Sequence, residues 1–124
     1  MKYKFLGLLL LIGNLYAYNY NLTIEVDSTK SSGKAWDIAG GAPDIMVKID
    51  SKTIFKKSCK NSYKCTIDFE SKKDKWYLEI YDKDLRASDL IGKGECKADT
   101  NCSLGSAKIK IIKSKKWESF LICS

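Results

Sequence analysis

The chain contains no histidine. That absence removes imidazole acid–base catalysis, Ser-His-Asp triads and histidine metal sites. Arginine is nearly missing as well: Arg86 is the only one among 22 basic residues, the rest being lysines. Specific reading of nucleic acid leans on the bidentate guanidinium fork. A lysine-only surface with a net charge of +7 points instead to solubility or diffuse attraction to anions, and to no nucleic-acid partner. One proline, Pro43, and eight glycines exclude a low-complexity or disordered chain. No stretch holds a helical period. There is no nucleophile elbow Gly-x-Ser-x-Gly, no phosphate-cradling glycine loop, and no Ser-x-x-Lys in a context that supports nucleophilic catalysis. An enzyme is therefore not expected. With 124 residues, one domain is.

The first residues read as an address. Lys2 and Lys4 precede an apolar run over 5–12, and Leu15-Tyr16-Ala17 follows. A positive start, a short apolar core and a small residue make a secretory signal peptide. The run is shorter than the roughly 20 residues that span a bilayer. Cleavage after Ala17 divides the chain into a signal peptide, 1–17, and a domain, 18–124, in the periplasm or secreted. An uncleaved membrane anchor is the alternative reading of the same segment. Five cysteines follow: Cys59, Cys65, Cys96, Cys102 and Cys123. In an exported chain, cysteines pair. Two pairs are each six apart, so local bridges Cys59–Cys65 and Cys96–Cys102 are expected, with Cys123 left over. A four-cysteine zinc site is the rival, but CxxC spacing is missing.

Past Tyr18 the pattern is one of short alternating runs of β-branched and aromatic residues. Candidate strands cover 22–26, 45–49, 53–57, 65–69, 76–81, 91–96, 107–112 and 117–122. Asp50-Ser51-Lys52 and Ser114-Lys115 read as hairpin turns. Eight strands in about 100 residues predict an all-β, antiparallel eight-stranded β-sandwich. The longest connection, 27–43, is rich in Ser, Gly and Lys, and long loops in compact domains carry function.

Five of the 15 carboxylates fall in two short stretches, 36–44 and 82–92. Asp37 and Asp44 lie between strands 1 and 2; Asp82, Asp84 and Asp89 lie between strands 5 and 6. In an antiparallel sandwich both connections emerge at the same end, so five aspartates converge on an otherwise positive protein. A cation among them relieves their repulsion. Hard oxygen donors without histidine suit Ca2+, which takes six to eight oxygens.

The stretch from about Leu22 to Ile112 resembles a C2 domain, the calcium- and phospholipid-binding β-sandwich. Asp37, a glycine-rich gap and Asp44-Ile45-Met46-Val47-Lys48-Ile49 are similar to that family's first calcium loop and the strand after it. Tyr81-Asp82-Lys83-Asp84 followed by Asp89-Leu90-Ile91-Gly92 resembles its third. Asn61-Ser62-Tyr63 stands where the family has an Asn-Pro-x-Trp turn, here without the Pro and bracketed by Cys59 and Cys65. The resemblance implies a calcium site at Asp37, Asp44, Asp82, Asp84 and Asp89. It implies a monomer that makes calcium-dependent contact with an anionic membrane surface or a protein. The alternative is a non-catalytic interaction module in which calcium is structural or absent. Lys52, Lys56, Lys57, Lys60 and Lys64 read either as a solvated face or as a basic patch for anionic headgroups. Trp36 either packs under its loop or meets a membrane interface, and Trp76 and Trp117 are expected in the core.

Overall fold

Alternation decides which face of each strand is buried. In β1 (Tyr18–Val26) the side chains of Tyr20, Leu22, Ile24 and Val26 are buried while Glu25 faces out. In β5 (Lys75–Asp82) Trp76, Leu78 and Ile80 are buried in the same way. Each fully buried aliphatic side chain contributes about 1.5–3 kcal/mol relative to exposure. A one-residue slip would turn the whole set to solvent, so the pattern also fixes register. The computed structural model describes residues 17–30, 33, 41–84 and 88–114. Among them it forms β1, β2 (Ile45–Ile49), β3 (Lys52–Ile54), a 3-10 turn (Lys57–Cys59), β4 (Lys64–Ser71), β5, β6 (Asp89–Lys97), β7 (Asn101–Leu104) and β8 (Ala107–Lys113).

The strands make two four-stranded antiparallel sheets, ordered β4-β1-β8-β7 and β3-β2-β5-β6. One apolar core joins them, so the chain is an all-β, eight-stranded antiparallel sandwich. Near one end, Tyr20, Phe69 and Trp76 form an aromatic cluster, with the Tyr20 and Trp76 rings 4.8 Å apart and edge-to-face. The buried Trp76 indole satisfies its N–H by donating to Ser71 Oγ at 2.8 Å.

Several elements differ from the sequence pattern. The predicted strand at 53–57 stops at Ile54, because the chain turns at Lys57–Cys59 to bring Cys59 to Cys65. A strand the pattern missed, β7, pairs with β8. The predicted strand at 117–122, with Trp117 and Cys123, lies outside the described residues, as do Trp36, Asp37, Lys115 and all of the predicted signal peptide but Ala17. The β2–β3 turn is the tight hairpin expected: Asp50 and Ser51 both have positive φ, 47° and 73°, as a two-residue type I′ turn requires.

Both expected disulfides form, with Cα–Cα separations of 5.1 Å for Cys59–Cys65 and 5.8 Å for Cys96–Cys102. Such bonds persist in non-reducing surroundings of the extracellular type. Among the described residues, no helix is long and apolar enough to cross a membrane.

Candidate metal centre

Backbone hydrogen bonds gather four connections at one end of the sandwich. The Ser62 N–H donates to the Pro43 carbonyl at 2.9 Å, tying the β3–β4 connection to the β1–β2 connection. The Lys83 N–H donates to the Asp44 carbonyl at 2.8 Å, tying in the β5–β6 connection. The Ser106 N–H donates to the Ile91 carbonyl, which adds the β7–β8 turn. The remaining connections lie at the opposite end, where the Lys73 ammonium pairs with Asp50 at 2.6 Å. That ammonium and the Tyr77 amide outweigh burial and hold the Asp50 carboxyl below its usual range.

Register then brings the aspartates of the first end together. Asp82 closes β5 and Asp89 opens β6, and they are cross-strand partners. The pairing depends on a bulge: Ile80 faces Gly92 but Tyr81 faces Leu90, which leaves Ile91 as the extra residue. Ile91 and Gly92 are consequently both buried, which breaks the alternation of β6. Asp44 lies just before β2, whose first residue, Ile45, pairs with Asp82. The Asp44 N–H donates to Asp82 Oδ1 at 2.9 Å, and the Asn61 N–H donates to Asp44 Oδ1 at 2.7 Å. Asn61 reaches that position with a φ of 51°, a conformation asparagine tolerates well.

Two like charges directly opposite on a ladder oppose folding. The effect is concentrated on Asp82. Burial raises its pKa first, then the neighbouring charges of Asp44, Asp89 and Asp84, against a lowering by the Asp44 amide. Among the described residues, Lys30 answers from within the chain: its Nζ, in the β1–β2 connection, lies 3.2 Å from Asp89 Oδ2. No signal in the sequence marked Lys30, which stands 59 positions from its partner.

Asp44, Asp82, Asp84 and Asp89 thus belong to one end of the sandwich, and Asp37 lies outside the described residues. Among the described residues, no three acidic or cysteine side chains are close enough to hold a metal as they stand. The donor chemistry nevertheless fits a hard divalent cation. All donors are oxygens, and each of Asp44 and Asp82 has a second carboxylate oxygen besides the one that takes an amide. The lysines of the sequence pattern are spread along the β3–β4 side, with Lys52, Lys57, Lys60 and Lys64 exposed and Lys56 half-buried.

The fold and this end define a class: an antiparallel sandwich with acidic connections gathered at one end. Comparison with known protein families and with curated proteins returns no match.

Proposed function

We propose that the chain is an exported, monomeric C2-like module, periplasmic or secreted, that binds Ca2+ at the acidic end of its sandwich. The residues that would hold the ion are Asp44, Asp82, Asp84 and Asp89, with Asp37 from the same connection as Asp44. The observation that carries the reading is the cross-strand pair Asp82 and Asp89, joined to Asp44 by an amide on Asp82. A chain with a net charge of +7 that sets like charges face to face at one end holds a latent affinity for a cation. Bound calcium would supply charge neutralisation and draw the β1–β2 and β5–β6 connections together. The neutralised end would then meet an anionic membrane surface or a protein carboxylate. The protein acts by binding and not by catalysis, since carboxylates committed to calcium stay ionised. The Lys30–Asp89 pair favours a second reading, in which the end is balanced from within and calcium is structural or absent.

Calcium titration of the folded domain tests whether calcium binds at all, and calcium-dependent binding to vesicles separates a partner-binding end from a structural one. Extracellular modules bind Ca2+ at roughly 0.1–1 mM. With a dissociation constant near 0.1 mM, about 1 mM Ca2+ stabilises the domain by roughly 1.4 kcal/mol. The expected result is heat on titration and a higher melt in calcium than in chelator. Identical melts and no heat remove calcium from the account.

A further inference from the structure

We propose that the outer edge of β4 is a self-association surface, on which a second copy of this chain pairs strand to strand, antiparallel, about a two-fold axis at Ile67. This goes beyond the reading above: the module is a monomer when dilute and pairs reversibly when concentrated, without calcium. β4 ends its sheet, and among the described residues no strand covers its other side. The ladder to β1 sets which groups point there. The Val26 N–H donates to the Tyr63 carbonyl at 2.7 Å, in the register that places Glu25 opposite Lys64. Hydrogen-bonded and non-bonded positions alternate along an antiparallel pair, so Cys65, Ile67 and Phe69 bond β1. Thr66, Asp68 and Glu70 therefore turn their backbone N–H and carbonyl groups outward. At Lys64 the outward groups are already taken: Ser62 Oγ donates to its carbonyl at 2.6 Å and accepts its N–H at 3.2 Å.

Charge selects the occupant. Lys64, Thr66, Asp68 and Glu70 are exposed on one face of β4, with the cation at its start and the anions toward its end. A copy laid antiparallel, Ile67 opposite Ile67, sets Lys64 against Glu70 and Thr66 against Asp68, each twice by symmetry. The same register brings the outward backbone groups of Thr66 and Asp68 face to face, so they exchange hydrogen bonds. A slip in one direction sets Asp68 against Asp68, a like-charge pair that opposes association. A slip in the other sets Glu70 against Ser62 and leaves it without a cation. β6, the other long edge strand, does not match itself in this way. Its exposed Lys93, Glu95 and Lys97, centred on one another, would set Glu95 against Glu95 and Lys93 against Lys97. Pairing over so short an edge buries less than the about 1,600 Å2 of a standard interface, which makes the dimer reversible. Because the paired strands run antiparallel, the two acidic ends of the dimer point in opposite directions.

The test is sedimentation of the protein in chelator at low salt, over about 1 μM to about 1 mM. The samples are the parent, Lys64→Glu, Glu70→Lys and the double exchange Lys64→Glu with Glu70→Lys, each melted to verify folding. The parent is expected to pass from monomer to dimer within that span. Each single exchange sets like charges opposite one another on both sides of the axis and should weaken pairing about tenfold or more. The double exchange restores both pairs and should return affinity to within about threefold of the parent. An equimolar mixture of the two single variants restores the same pairs, and it carries the test should the double variant fold poorly. A parent that stays monomeric to about 1 mM overturns the proposal. So does a dimer that the single exchanges leave unchanged, or one that neither the double exchange nor the mixture restores. The calcium reading stands or falls separately, since every sample is free of calcium.

Discussion

Asp82 keeps its charge at a cost. Burial and the three neighbouring aspartates raise its pKa, so between the unfolded value of about 3.9 and the raised folded value the native state holds more protons than the unfolded one. Stability of the cation-free protein therefore falls as pH rises through that window and stays lower above it. Asp82→Asn keeps the oxygen that accepts the Asp44 amide and removes the charge. Without calcium at pH 7, this variant should melt higher than the parent, with the gain shrinking toward pH 4. With calcium the order should reverse, because the variant loses most of its affinity. Thermal melts across pH, with chelator and with Ca2+, check both halves; a variant that melts lower than the parent in chelator at pH 7 contradicts the electrostatic account. The shared end of Asp44, Asp82, Asp84 and Asp89 was legible in the sequence, since alternate connections of an antiparallel sandwich emerge together. Lys30 was not, because a lysine in a loop rich in Ser, Gly and Lys has no spacing that ties it to Asp89.

β6 and β7 close one side of the sandwich, and their fit leaves no spare space. A Cβ built at Gly92 would stand 1.9 Å from the Leu104 carbonyl oxygen, so β6 approaches the end of β7 as closely as backbones allow. At the other end of the strands, Cys96–Cys102 staples them. Gly92→Ala should therefore destabilise by about 2–3 kcal/mol, since the obstacle is backbone and has no rotamer to change. Replacing Cys96 and Cys102 together by Ser should cost about 2 kcal/mol, the loop-closure value for so short a loop. Denaturant unfolding measures both, and a Gly92→Ala variant within about 0.5 kcal/mol of the parent, the range of an ordinary surface change, would show that the two strands separate freely. The sequence announced the staple through its spacing but not the strand it holds. β7 has four residues, only Leu104 fully buried, and a mostly polar sequence. Its strand character comes from pairing with β8 and from the bridge, which are tertiary causes. The bulge at Ile91 hid in the same way, by breaking the alternation that marks β6 as a strand.

Across the whole molecule, charge is mixed. Lys93 and Lys97 on β6, Lys108 and Lys110 on β8 and Lys64 on β4 are exposed, and Asp50 pairs with Lys73 at the far end, but Asp44, Asp82, Asp84 and Asp89 stand together at one end. The antiparallel sandwich was readable from alternation, and the acidic end from the sequence positions of the aspartates, but the order of strands in each sheet was not. What the end meets was not readable, because a partner is chosen by three-dimensional charge and shape. The acidic end makes a prediction. Without calcium the acidic end repels an anionic surface even though the molecule is positive overall. On the calcium reading, bound Ca2+ would neutralise the end and leave the lysine background unopposed, at about 1 kcal/mol for each lysine close to an anionic bilayer. Binding to vesicles should therefore need both Ca2+ and anionic lipid. It should weaken steeply with salt, as the Debye length falls from about 10 Å at 0.1 M to about 3 Å at 1 M. Co-sedimentation with anionic and with neutral vesicles, each in Ca2+ and in chelator, measures all four cases. Pelleting with anionic vesicles in chelator as strongly as in Ca2+ would assign the attraction to the lysines alone. Pelleting in no condition, by a domain that still binds Ca2+, would leave a protein carboxylate as the partner of the loaded end.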